Sequence, residues 1–401
     1  MSLKSSLKSA IKHNPIYASY IRPLRVKLNT LIESRLTDEQ YFVRRHKKIF
    51  GYTPDFRNPQ TFNEKIIHRI LFDRSPVYTA LADKLKARIY IAATLYPLYE
   101  NAIRGGAERN ANLDSSLDSS AQPTIQALAK LNLLEPSSPL FAPIDTLEST
   151  LLATNICPYL PKLYGIYKSF DEIDFASLPS SFAIKTNHDC GGVVLVPNKQ
   201  EFLSDQARFE DARRKIQQHL ATNFYTLFRE WHYKDIEPRV FIEELLGASS
   251  PANTAPNAES STDSSAKTFE NDDFHNKIAQ DLESYKAPTD YKCHMFNGTL
   301  SHIDIIIDKF TKQTEIAMTP TWEKMPFDYD KKATHIPPKP HNLALMQKIA
   351  TALAGKFSYV RIDLYEIDKQ IITGELTFTP TGGTDRFSPV QWDRNLGDLW
   401  V

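Results

Sequence analysis

Near the C-terminus of this 401-residue chain, Arg361-Ile-Asp363-Leu-Tyr365 and Thr373-Gly-Glu375-Leu-Thr377-Phe-Thr379-Pro380 set two carboxylates and a guanidinium at alternate positions. Alternation at period two predicts two half-buried strands, each with its polar side chains on one face. A three-residue turn at 368–370 then sets Asp363 opposite Glu375 and Arg361 opposite Thr377. Ile362, Leu364, Leu376 and Phe378 form the other face and can pack on a core. One or two carboxylates, with phosphate oxygens completing the shell, are what a nucleotide-bound Mg²⁺ takes from a protein. The same residues would also make a solvated hairpin with a cross-strand ion pair. By itself the hairpin leaves both readings open.

Three other places could handle phosphate or nucleotide. Lys185 ends an apolar run and precedes a loop with Gly191 and Gly192, so an ammonium and accessible backbone N–H groups converge where phosphate oxygens would bind. The spacing is not that of a Walker A loop, and paired glycines also serve ordinary turns. Glu243-Glu244 closes the run Arg239-Val-Phe-Ile, where a carboxylate could hold a ribose hydroxyl or simply face solvent. Lys292, on the polar side of a strand before Asn297-Gly298, could reach a phosphate or guard a sheet edge.

These residues need elements to carry them. Thr61-Phe-Asn-Glu64 ahead of Ile66, Ile67 and Ile70 is a capping box opening a helix, and Leu81, Leu85 and Ile89 predict a second helix from about Tyr78 to Thr94. Strands are expected at Ser181–Lys185, Val193–Val196, Arg239–Leu246, Tyr291–Phe296 and Thr299–Ile307. The Asn297-Gly298 register places Lys292 opposite Ile303. Further helices are expected around Asp211–Leu220 and from Pro340, stopped by Gly355. Hairpins and helices without βαβ alternation imply an α+β architecture with antiparallel sheets. Residues 104–123 and 248–266, rich in Ser, Asn and Asp, read as polar insertions into this fold.

Composition sets the class. Lys+Arg and Asp+Glu both number 48, so no net charge points to nucleic acid, and 41% hydrophobic residues suit a globular chain. Cys157, Cys190 and Cys293 are too few and too scattered for a disulfide framework. With no apolar run approaching about 18 residues and no signal peptide at the start, a cytoplasmic location is expected. Residues 1–36 carry Lys4, Lys8, Lys12, Arg22, Arg25, Lys27 and Arg35 against Glu33 alone, so peripheral contact with an anionic membrane face is a further expectation.

The order of these features resembles the ATP-grasp fold, two α+β subdomains clamping ATP, and within it the teichuronopeptide-biosynthesis, TupA-like branch. The residues that carry the resemblance are Asn58–Lys65, Asp83-Lys84 with Arg88, Phe170–Phe175, Ala183–His188 with Gly191-Gly192, Asp290-Tyr-Lys292 with Phe296–Gly298, Arg361–Leu364 and Gly374–Pro380. It implies a first subdomain over 156–247, a low-complexity insertion over 248–287 and a second subdomain over 288–401, behind a basic segment (1–40) and a mainly helical region (41–155).

By the same resemblance Lys84 and Lys185 contact ATP phosphates, Gly191-Gly192 close over them, and Glu243-Glu244 hold adenine and ribose. Lys292 is a further phosphate contact, Asp363 and Glu375 bind Mg²⁺, and Arg361 stabilises the oxyanion. Thr377 stands where most relatives have Asn, and Asp189-Cys190 where small residues are usual; a negative charge there weakens phosphate binding unless it faces away. The implied activity is a carboxylate–amine ligase joining a uronic acid of a surface polysaccharide, or its nucleotide-sugar precursor, to an amino acid or amine. The alternatives are a glycosyltransferase or sugar kinase of the same pathway, and a non-catalytic nucleotide-binding scaffold. Phe170-Asp171-Glu-Ile-Asp174 and Asp304-Ile-Ile-Ile-Asp308 lack the Asp-x-Asp spacing a metal-dependent glycosyltransferase would show.

Overall fold

The computed structural model describes residues 31–104, 121–247, 287–307 and 313–401. Most of the basic N-terminal segment, most of both polar insertions, and Asp308 lie outside them. The chain divides into two compact units at Pro59/Gln60. In the first, α1 (Asp38–Phe50) opens with a reciprocal Thr37/Gln40 capping box and stops at Gly51, whose φ of 85° suits a residue without a Cβ. Its buried His46 ring packs against Phe50, Tyr52 and Phe56.

The second unit opens with α2 (Phe62–Phe72), started by the capping box expected at Thr61 and Glu64. The buried Arg69 of α2 donates to the carbonyls of Tyr359 at 2.8 Å and Phe378 at 3.0 Å, tying this helix to both arms of the C-terminal hairpin. Where a single helix was expected over Tyr78–Thr94 there are two, α3 (Pro76–Ala82) and α4 (Lys84–Arg104). The break falls at Asp83, whose carboxylate accepts from the Leu85 N–H at 2.9 Å and from Asn187 Nδ2 at 3.0 Å. A capping carboxylate satisfies N–H groups that a continuous helix would have paired itself, and the same oxygen anchors the loop after Lys185. Next come α5 (Ala121–Leu128), which takes up Ala121–Pro123 from the expected insertion, and α6 (Glu148–Ala153).

The first sheet contains β1 (Leu163–Tyr167), β2 (Phe182–Thr186), β3 (Val193–Val196) and β4 (Val240–Glu243), antiparallel in the order β1-β4-β2-β3. Strand β4 ends at Glu243, short of the expected Leu246. Between β3 and β4 lie α7 (Lys199–Ser204), α8 (Gln206–Leu220) and α9 (Phe224–Phe228). Helix α8 starts five residues before the expected Asp211 because Asp205 caps it. Phe182, Ile184, Val196, Val240 and Ile242 bury against Phe202 and Ile216.

The second sheet contains β5 (Asp290–Phe296), β6 (Thr299–Ile307), β7 (Thr314–Met318), β8 (Tyr359–Ile367) and β9 (Gln370–Thr377), antiparallel in the order β7-β6-β5-β8-β9. Helix α10 (Leu343–Ala354) begins after Pro340, not at it, and α11 (Gln391–Leu399) closes the chain. Met346, Ile349 and Leu353 of α10 share one core with Leu85 and Ile89 of α4 and with Ile303, Ile362 and Leu364 of the sheet. One face of this sheet is therefore sealed, and the other carries its polar residues.

Two registers differ from expectation. The β8–β9 turn has two residues, Asp368-Lys369, both at positive φ, and Gly374 is a bulge. A turn shorter by one and a strand longer by one cancel, so Asp363 still faces Glu375 and Arg361 still faces Thr377. Gly374 permits this because a Cβ there would lie 2.8 Å from the Tyr365 ring. In the β5–β6 hairpin a bulge at Ser301 shifts the pairing beyond the tight turn, so Lys292 faces Asp304 and His294 faces His302. Ile303 faces Cys293 on the sealed side instead.

Candidate active site

On the polar face of the second sheet, β5 supplies Asp290, Lys292 and His294, β8 supplies Arg361, Asp363 and Tyr365, and β9 supplies Glu375 and Thr377. Asp363 is the hub. Its Oδ1 accepts from Arg361 Nε at 2.7 Å, and its Oδ2 from Arg361 Nη2 at 2.8 Å and Lys292 Nζ at 2.6 Å. Lys292 also pairs with Asp290 Oδ2 at 3.0 Å. Arg361 Nη2 continues to Thr377 Oγ1 at 3.1 Å, whose hydroxyl donates to Glu375 Oε1 at 3.0 Å.

Burial opposes the charge on Asp363, but Arg361 and Lys292 hold its carboxyl well below the usual range. Burial and the Arg361 charge work against the Lys292 ammonium as well; Asp363, Asp290 and Glu375 outweigh them and its pKa is raised. Asp363 and Lys292 are therefore both charged at neutral pH.

Divalent cations of the Mg²⁺ type take oxygen ligands, and the donors here are oxygen. Among the described residues, Asp363 Oδ1 accepts only one hydrogen bond, and Glu375, with its side chain 45% exposed, directs only Oε1 to a protein partner. Asp363 and Glu375 thus have lone pairs to offer, with Thr377 Oγ1 between Glu375 and Arg361. The residues fit the ion.

The second group surrounds the glycine loop. Lys84, the first residue of α4, donates through Nζ to the carbonyls of Thr186, at 3.1 Å, and of Asp189. One helical turn on, Arg88 reaches Glu243 Oε2 at 3.3 Å and the Pro161 carbonyl at 2.6 Å. Lys185 pairs with the other Glu243 oxygen and remains 29% exposed. Glu244 is outside the strand and exposed; its N–H donates to the Lys162 carbonyl at 2.8 Å and its carboxylate accepts from the Lys162 N–H at 3.1 Å.

Gly191 has φ of 95°, and a Cβ on Gly192 would lie 1.8 Å from Thr186 Oγ1, so both glycines are required by the tight loop itself. Asp189, the charge expected to repel phosphate, turns inward. Its carboxylate is buried and accepts from Thr186 Oγ1 and from His219 of α8. Burial would raise its pKa, yet the His219 hydrogen bond, the Lys84 charge and the Thr186 hydroxyl bring it down to about 2.

A group with a depressed folded-state pKa contributes stability above its unfolded value and loses it as pH falls through the folded one. Wild type is therefore expected to lose on the order of 2 kcal/mol from this pair between about pH 4 and pH 2. Asp189→Asn should unfold at lower temperature than wild type at pH 7 and converge with it near pH 2. Parallel melting curves across that range would contradict the lock.

Desolvation, then the charges of Asp290, Asp363, Glu375 and Glu243, push the Tyr365 phenol up, which places that ring within the field of both sheets. Desolvation and then the Glu375 charge likewise raise the pKa of the Cys190 thiol on the glycine loop. Lys84, Lys185, Gly191, Gly192 and Glu243 therefore gather around one loop, and Lys292, Arg361, Asp363, Glu375 and Thr377 on one sheet face. Glu244 belongs to neither group.

Sequence reasoning left Arg88 and the Asp189–His219 lock without roles. It also missed a buried trio on the same face, His294, His302 and Asp304. Alternation from Lys292 would have found His294; His302 and Asp304 need the bulged register. All three cysteines are free, Cys157 and Cys293 buried and Cys190 exposed. Among the described residues, no helix is long and apolar enough to cross a membrane.

A family model described as TupA-like ATPgrasp matches residues 154–253 and 263–401. No curated protein matches the chain. Among solved structures, a D-alanine–D-alanine ligase from Bacillus anthracis is similar at 15% identity and a TM-score of 0.30, with 63% of this chain and 65% of that one covered. An L-amino acid ligase from Bacillus licheniformis is similar at 14% identity and a TM-score of 0.30, with 65% and 49% covered. A D-cycloserine synthetase is similar at 11% identity and a TM-score of 0.28, with 78% and 96% covered.

Proposed function

The chain belongs to the TupA-like ATP-grasp family, and on that premise we propose that it is an ATP- and Mg²⁺-dependent carboxylate–amine ligase. The observation that carries this reading is the linked set Lys292, Arg361, Asp363, Glu375 and Thr377 on one open sheet face, in a chain that also carries a lysine-bearing glycine loop. A substrate carboxylate oxygen attacks the γ-phosphorus of ATP, the bond to the β-phosphate oxygen breaks, and ADP leaves. An amine then adds to the acylphosphate carbonyl, and expulsion of phosphate with loss of a proton from nitrogen leaves the amide.

The chain's contribution is position and charge. Lys185 is able to turn to phosphate because Arg88 keeps Glu243 paired in its absence. Lys84, with Nζ on two loop carbonyls, offers its charge beside the same loop. Arg361 and Lys292 face the oxygens that become more negative as the acyl carbon turns tetrahedral. Asp363 and Glu375, with Thr377 adjacent, would hold Mg²⁺, which would neutralise charge on the phosphates when bound.

For the carboxylate we propose a uronic acid of a surface polysaccharide or its nucleotide-sugar precursor, and for the nucleophile an amino acid or small amine, as the sequence resemblance to the teichuronopeptide-biosynthesis branch implies. The assay is ADP release with ATP, Mg²⁺, a uronic acid and an amine. Release is expected only when both co-substrates are present. ADP formed with a sugar hydroxyl acceptor alone would indicate a kinase, and UDP released from a nucleotide sugar would overturn the ligase reading.

A further inference from the structure

Beside the proposed Mg²⁺ residues, β5 and β6 bring together His294, His302 and Asp304, all buried to within 3% of complete. Their ligand atoms lie within 4.8 Å of one another, and the two imidazoles stack with centroids 4.3 Å apart. Three of those atoms, His294 Nε2, His302 Nε2 and Asp304 Oδ1, are buried without a hydrogen-bond partner among the described residues. His294 Nε2 stands 2.8 Å from Asp304 Oδ2 as a charge pair without a well-aligned hydrogen bond, and His302 Nε2 stays 3.7 Å from Oδ1. Polar atoms so poorly satisfied in a protein interior are unfavourable unless something else satisfies them.

The remaining atoms of the trio are all engaged. His294 Nδ1 meets the Tyr359 hydroxyl at 3.0 Å, His302 Nδ1 meets Ser301 Oγ at 3.1 Å, and Asp304 Oδ2 accepts from the Tyr329 hydroxyl at 2.8 Å. Metal-ligating histidines and carboxylates have the far nitrogen or second oxygen hydrogen-bonded in this way, and here the stacked rings have to turn for both Nε2 atoms to reach one ion. The geometry points to a second metal site, a three-ligand His₂Asp centre for a zinc-type divalent ion with its fourth position open, distinct from the Asp363/Glu375 site. Two imidazoles favour zinc over magnesium, which takes oxygen. Its place in the sheet suggests its use: His294 faces Arg361 and Asp304 faces Lys292, so an ion here fixes the strands that present both cations to substrate.

The test is the metal content of the full-length chain, equilibrated with Zn²⁺ and then freed of loose metal. About one zinc per chain is expected. It should be lost in the His294→Gln/His302→Gln double variant and kept in Glu375→Gln, which separates this centre from the proposed Mg²⁺ site and from the ligase reading. A wild type without zinc, or a folded double variant with undiminished zinc, would show the trio to be a buried ion pair and overturn the proposal. Should the double variant fail to fold, chelator-stripped wild type decides: Zn²⁺ at a hundredfold excess over Kd should raise Tm by roughly 3 °C, and no rise refutes the site.

Discussion

Glu375→Gln is expected to lower Mg²⁺-dependent ADP release by about 10³-fold while leaving Tm essentially unchanged. The two effects separate because of where Glu375 stands. Its side chain is nearly half exposed, and its one hydrogen bond, from Thr377 Oγ1 to Oε1, is a bond an amide oxygen can also accept. The change is close to isosteric and leaves no buried charge alone. What is lost is half of a paired-carboxylate site. Turnover and melting should both be measured over a Mg²⁺ titration. Full activity in this variant would remove Glu375 from the metal site, and a large fall in Tm would make the residue structural.

Arg361→Met should be costly in both stability and turnover. Asp363 would keep Lys292 but lose two of its three hydrogen-bond donors, and a buried carboxylate stripped of its main partner costs about 3–5 kcal/mol. Lysine cannot reproduce a bidentate fork, so Arg361→Lys should recover little of either. The double variant Arg361→Met/Asp363→Leu removes the stranded charge with its partner, and most of the stability should return while activity does not. Chemical denaturation of the three variants reads the stability, and ADP release reads the rest. If Arg361→Met is as stable as wild type, the ion pair has been overvalued.

Legibility from the sequence was uneven for physical reasons. Polar alternation at 361–365 and 373–379 was enough to find the hairpin, since one face had to be buried and the other could not be. Its turn was misjudged by one residue, yet the facing pairs came out right because the Gly374 bulge returned the residue that the two-residue turn had removed. The same kind of bulge at Ser301 had no compensating turn, so the partner of Lys292 came out wrong. A bulge is decided by packing on both faces at once, and a single strand's sequence carries little of that. The helix break at Asp83 also escaped periodicity, because the capping carboxylate is fixed partly by Asn187, distant in sequence.

Glu243-Glu244 shows the limit for charges. Adjacent acids look alike in sequence, but one is buried between Arg88 and Lys185 while the other is exposed beside Lys162. Asp189 looked like a hazard to phosphate binding and proved to be the anchor of its own loop.

By itself the sequence determined the α+β class, the order of the candidate site residues along the chain, and which hairpin face would be polar, because these depend on local periodicity and residue type. Only the tertiary structure decided which carboxylate meets which cation, which aspartate turns inward, and that two histidines and an aspartate share a buried corner. Those outcomes depend on register and burial, and a one-residue slip in either exchanges core for cleft.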